Sequence, residues 1–248
     1  MNKELPPRLL KRHLTFCKDN KLAEAKAIAL STCLTSKSSH TINMALDYLF
    51  ELFGETFVLD NLLKSADDTL LLEIGNKCSN AADGKLEAKL LEKVAVAASP
   101  LEFLPALIRL QSYDGLKMYL EIAKGANSIP DYNGSPVHHL TELIEYINKI
   151  ELLPVLIELV TLRFQHGFKD GDFRSLYTAL FNALARIAKE GHFDEVITHT
   201  TKLLGEQPNN LDLKRFCNTL VDEIKRQESI NTSKSWTIDE IKKLSPLQ

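Results

Sequence analysis

The chain has 248 residues, 44% of them hydrophobic, with a formal charge of −3 and a pI of about 6.2. That is apolar matter enough for a large domain or a stacked array, without the overall basic field that nucleic acid demands. Four scattered cysteines with no CxxC pair exclude a zinc ribbon or a small disulfide framework, and the absence of a signal-like start or a long apolar run predicts a cytoplasmic protein without a membrane segment.

Leu5 to Lys18 reads as a helix opened by Pro6-Pro7, because a first-turn proline lacks only an N–H that has no partner there anyway. Asp19-Asn20 breaks it. Lys21 to Leu34 resumes with Leu22, Ala25, Ala29 and Cys33 on one side, completing a helical hairpin. This start is basic: residues 1–40 hold eight Lys or Arg against three acids, a local +5 that leaves −8 for the rest. A solvated face accounts for it most simply, and contact with an acidic partner or phosphate is the sharper reading. TSKSSH (35–40) is a polar loop able to cap the next helix. Ile42, Ala45, Leu46, Leu49, Phe50 and Phe53 then fall at helical spacing, and Gly54 ends the run. Phe57 to Ala66 and Thr69 to Cys78 are predicted as shorter helices, with Asp67-Asp68 as the cap between them. Ser79 to Gly84 is a turn, and Leu86 to Ala98 a helix with Leu86, Leu90, Leu91, Val94 and Ala98 inward.

The chain then repeats itself. Residues 101–110 read LEFLPALIRL and residues 150–159 read IELLPVLIEL, so Glu102 corresponds to Glu151 and Pro105 to Pro154, 49 residues apart. A proline costs about 3 kcal/mol inside a helix and far less in its first turn, so each one fixes where a helix must begin. The first segment leads to Tyr113–Lys124, with Gly125 beyond its end. Val137 to Asn148 forms another helix. The second segment leads to Phe173–Lys189, the clearest amphipathic run, with apolar residues at i, i+3, i+4 and i+7 over four turns. IAKG (122–125) and IAKEG (187–191) extend the likeness into these second helices. Phe193–Leu204 and Leu211–Arg226 pair around GEQPNN. Gln227 to Ser235 is linker-like, and Thr237 with Glu240 makes a capping box after Trp236. A period near 50 residues predicts an all-α fold, a right-handed α-solenoid of stacked antiparallel helix pairs of the HEAT/TPR kind. Residues 1–226 are expected as a single repeat domain, clearest at 99–125 and 149–190, with 227–248 a linker and short terminal helix.

Catalytic chemistry leaves no mark. GxxxxGK[ST], HExxH and GxSxG are all missing. His138 and His139 are adjacent and would diverge on a helix, while His192 and His199 stand among packing residues. No catalytic, cofactor or metal site is predicted. Two long connections stand out instead, GANSIPDYNGSP (125–136) and RFQHGFKDGD (163–172). Loops of that length carrying aromatics are more common where a partner is met. The candidate contact residues are Tyr132, Arg163, Phe164, His166, Phe168 and Lys169. The alternative is that Phe164 and Phe168 fold back over the helix pair.

The Leu-Pro-x-Leu-Ile helix, followed by one carrying Arg174 and ALxxIA (183–188), resembles HEAT-type repeats across residues 99–190. With the intervening Phe-, Lys- and Asp-rich loop and Phe173-x-Ser175-Leu176-Tyr177, it is similar to the C-terminal repeat region of bacterial NACHT/STAND-type antiphage NTPases. The resemblance implies a non-catalytic sensor that binds a protein or a foreign, phage-derived component. The Walker motifs of those NTPases are missing here, so only the recognition half is implied. A generic intracellular scaffold binding a peptide or protein is the alternative. A HEAT-like DNA glycosylase fits less well, because such an enzyme needs a basic groove with aromatics.

Overall fold

The computed structural model describes residues 6–78, 84–96, 100–128, 137–168 and 176–233, and among these every regular element is a helix. None of the described helices is long and apolar enough to cross a membrane. The chain divides into two compact units, residues 1–115 and 116–248, and the division falls inside the 99–125 repeat.

The first unit is built around α3. α1 (Pro7–Asp19) buries Leu10, Leu14 and Cys17, one per turn. It ends in a Schellman motif: the Leu22 N–H donates to the Cys17 carbonyl at 2.7 Å and the Lys21 N–H to Lys18 at 3.0 Å, with Lys21 left-handed at φ 54°. That termination, made without the usual glycine, delays α2 to Lys26–Thr35, where the periodicity places its start at Lys21. Both helices pack on α3 (Ser39–Leu62). The buried Tyr48 of α3 donates its hydroxyl to the Leu22 carbonyl at 2.8 Å and pins the turn.

Ser38 accepts from the Thr41 N–H at the start of α3, as its polar loop predicts. The helical course of α3 breaks at Gly54 (φ 80°, ψ 171°), a backbone that only glycine enters freely. Phe53 and Phe57 flank the break with rings 5.0 Å apart, and the Lys26 ammonium lies over both. Beyond a 3-10 turn at Leu63–Ser65, α4 (Asp68–Lys77) is capped by Asp67, which accepts from Leu70 N–H at 3.0 Å. Lys37 donates to the same carboxylate at 2.8 Å, and this with the Leu70 bond holds Asp67 below the usual carboxylate range. Glu73 of α4 accepts from Ser39 and Asn43 of α3. α5 (Gly84–Val96) buries Leu86, Leu90 and Val94.

The echoed decapeptides adopt one local structure twice. Each opens with a 3-10 turn (Pro100–Glu102 and Ile150–Leu152) and passes into a helix, α6 (Leu104–Arg109) and α9 (Leu153–Arg163). Pro105 and Pro154 both fall in the first helical turn. Burial follows the same order: Phe103, Leu104, Ala106, Leu107 and Leu110 are buried, as are Leu152, Leu153, Val155, Leu156 and Leu159.

The helices end differently. α6 stops in a second Schellman motif, with Ser112 N–H donating to Leu107 at 3.0 Å and Gln111 N–H to Ile108 at 2.9 Å, Gln111 left-handed at φ 54°. Ser112 then caps α7 (Tyr113–Ala126), accepting from the Gly115 N–H at 3.0 Å. A Cβ on Gly115 would lie 2.5 Å from the Leu107 Cβ, so only glycine allows α7 to start this close to α6.

The second unit is organised around α10 (Leu176–Lys189), the described part of the Phe173–Lys189 run. α8 (Val137–Ile144), α9, α11 (Phe193–Glu206) and α12 (Leu211–Ser233) all pack against it. Its buried set, Leu176, Ala179, Leu180, Ala183, Leu184, Ala185, Ile187 and Ala188, is wider than one stripe, and its alanines let neighbours approach closely. α12 continues to Ser233, where a linker is predicted from Gln227. Glu223 accepts from both Arg226 and Gln227, and the Ser229 hydroxyl donates to the Lys225 carbonyl, so the polar residues bond within the helix. The Ser79–Gly84 turn up to residue 83, most of the 125–136 connection, Phe173, Arg174 and the Trp236–Glu240 capping box lie outside the described residues.

Candidate recognition cleft

Gln111-Ser112, which stops α6, corresponds to Val160-Thr161 in the second segment. Val160 is buried and α-helical, so α9 runs on to Arg163 and carries Leu162 into the core. The Phe164 N–H donates to the Val160 carbonyl at 3.2 Å, and the Gln165 N–H to Leu162 at 3.0 Å. Gly167 comes next at φ 83°, and its carbonyl accepts from Asn127 Nδ2 at 3.1 Å, which ties the loop to the end of α7. Asn127 is itself left-handed, in a third Schellman ending made by the Ser128 and Asn127 N–H groups on Ala123 and Lys124.

Across from this loop stands the α11–α12 turn. Asn210 caps α12, accepting from the Leu213 N–H at 3.1 Å, while its Nδ2 donates to the Phe164 carbonyl at 3.1 Å. One amide thus finishes α9 and starts α12. The floor between them is aromatic: Phe164 lies 5.4 Å from Phe216 and 6.1 Å from Tyr177, and Phe216 meets Tyr177 at 4.9 Å and Phe181 at 6.0 Å. Most of these pairs are edge-on, the geometry that ring quadrupoles favour.

Above this floor opens a cleft of about 1000 Å³. One wall is Thr161, Arg163, Gln165, His166 and Phe168; the other is Gln207, Asn209, Asn210, Asp212 and Arg215, with Phe164 and Tyr177 between. The Arg163 guanidinium sits 5.4 Å from the Phe164 ring centre, within cation–π range. Arg215 and Asp212 form a loose exposed pair at 3.6 Å. Amides, a hydroxyl and an imidazole on the walls can donate and accept, and Arg163, Asp212 and Arg215 bring charge of both signs.

Of the sequence candidates, Arg163, Phe164, His166 and Phe168 all line this cleft. Phe164 does so as floor, half-buried and 5.4 Å from Phe216, while Phe168 is half-buried on the wall. His166 is exposed. Tyr132 and Lys169 lie outside the described residues. The far wall has no counterpart in the sequence reading: Asn210 stands 46 residues from Phe164, and its only local signal is that Pro-Asn-Asn suits a helix start.

Among the described residues no group of three His, Cys, Asp or Glu stands close enough to hold a metal ion. The four cysteines are free and buried, and burial pushes the Cys33 and Cys78 thiols up to about 12 and Cys217 to about 11, far from nucleophilic at neutral pH. His192 leans toward Glu195 at 3.6 Å as part of the α11 start. In comparisons with known proteins, no family model, curated protein or solved structure matches this chain.

Proposed function

We propose that this chain is a non-catalytic recognition region that binds a protein segment in the cleft between the α9 loop and the start of α12. The observation that carries the reading is the cleft itself: an aromatic floor with peptide-like donors and acceptors on both walls, the composition of a surface that takes a polypeptide with one apolar anchor. The finer proposal rests on the resemblance. The helices form a right-handed solenoid, and the region serves as the sensor of a NACHT-type defence NTPase, its partner a phage-derived protein met in the cytoplasm.

The test is capture of a partner by the whole chain from phage-infected and uninfected cells, with cross-links mapped by mass spectrometry. The expected result is a partner found only after infection, cross-linked to the α9 loop or α12, and lost when His166→Ala and Arg215→Glu are combined. Recovery undiminished by that pair of changes overturns the cleft. A partner recovered equally from uninfected cells favours the scaffold reading instead.

A further inference from the structure

The basic start of the chain takes no part in the cleft, and the structure gives it a definite shape. α1 turns Leu10, Leu14 and Cys17 inward, which leaves a second row on its outer side. Leu9 is 51% exposed and Phe16 60% exposed, large apolar side chains seven residues and two turns apart. Arg8, Lys11, Arg12 and Thr15 are also exposed, and with Phe16 and Asp19 they line a shallow groove of about 680 Å³.

These cations differ from others in the same unit. Lys18 pairs with Glu51, Lys77 with Asp47 and Lys93 with Asp68 across helices, and Lys37 with the α4 cap Asp67. Arg8, Lys11 and Arg12 have no ion-pair or hydrogen-bond partner among the described residues. Three positive charges without a partner among the described residues therefore flank two exposed apolar side chains on one helix.

We propose that the outer face of α1 is a docking site for an acidic amphipathic helix of a partner protein. The seven-residue spacing of Leu9 and Phe16 matches the i, i+7 anchors of such a helix. Arg8, Lys11 and Arg12 meet its carboxylates, and the groove beside Phe16 receives one of its apolar side chains. Charge complementarity selects the occupant: an acidic helix is attracted and a basic one repelled. An anionic membrane is the weaker fit. Interfacial helices embed a wide apolar face, and the wide face of α1 is already spent on the core, with Asp19 standing in the exposed row.

The experiment uses the whole chain and a fluorescent synthetic helix of Leu, Ala and Glu, with leucines at i, i+3, i+4 and i+7, read by anisotropy. The same composition scrambled, and vesicles of equal parts phosphatidylserine and phosphatidylcholine, serve as controls. Saturable binding of the patterned peptide alone is expected, weakening with added salt. Arg8→Glu with Arg12→Glu should weaken it roughly tenfold or more, and Phe16→Ser by roughly tenfold. His166→Ala should leave it unchanged, which separates this face from the cleft. Since all three altered residues are exposed, circular dichroism should show helix content retained. Absence of binding, equal binding of the scrambled peptide, or binding of vesicles alone overturns the proposal. So does self-association that Phe16→Ser abolishes, because the occupant would then be a second copy.

Discussion

LEFLPALIRL and IELLPVLIEL both pass from a 3-10 turn into a helix, and they part company where that helix ends. In the first, Gln111 turns left-handed, Ser112 caps the next helix, and that helix starts at Tyr113. In the second, Val160 stays helical, a further turn is added, and the chain emerges as the Arg163–Phe168 loop that walls the cleft. The shared apolar positions of the two segments set packing, whereas the residue that stops each helix decides whether a surface is made. A polar residue at that point closes the unit; an apolar one extends it into the core and releases the loop elsewhere.

The strongest test of that contrast removes the floor beneath the second segment. Phe216 is 1% exposed and touches Phe164, Tyr177 and Phe181, so Phe216→Ala should cost about 3–5 kcal/mol in urea unfolding. It should do so without altering the α6–α7 turn, as hydrogen exchange of Gly115 would report. Next, Gln111→Val places the residue of the second segment into the stop of the first. A β-branched side chain at φ 54° should destabilise the first unit by about 1–3 kcal/mol. If Gln111→Val is neutral instead, the stop is set elsewhere.

Smaller effects distinguish the two helix starts. Asn210→Ala loses both a cap and the bond to the Phe164 carbonyl, for about 1–2 kcal/mol. Ser112→Ala loses a cap alone, for about 1 kcal/mol. Equal losses in chemical denaturation would mean that Asn210 does not hold the cleft walls together. The smallest effect lies remote from both segments. Hydrogen bonds from Arg226 and then Gln227 hold the Glu223 carboxyl down to about 2 from its ordinary 4.5. A depressed carboxylate stabilises the fold above its unfolded value, and that contribution fades as pH falls from 4.5 toward 2. Arg226→Ala should raise the Glu223 midpoint in an NMR titration while barely moving neutral-pH stability, since the pair is solvent-screened.

Helix existence is legible in the sequence because periodicity and caps agree: Gly54, Asp67, Pro105 and Pro154 all stand where the pattern requires a break or a beginning. Helix ends are less so. Lys21, Gln111 and Asn127 occupy left-handed positions that glycine usually marks, and a lysine there sends no signal, so periodicity alone starts α2 too early. The continuation of α12 past Arg226 is hidden because Gln227 and Ser229 look polar and linker-like until their bonds within the helix are seen. Half of the cleft is legible from the unusual loop after α9. The other half depends on Asn210 reaching a carbonyl far back along the chain, which is a property of packing rather than of any local pattern.

The buried cysteines give each unit its own clock. Cys17, Cys33 and Cys78 fall within the first unit and Cys217 within the second, and no described thiol is open to solvent in the folded chain. A thiol reagent therefore reacts only as fast as the helices around each sulfur part. Labelling at Cys33 and Cys217, resolved by peptide mass, times the opening of the two units separately, with no probe introduced.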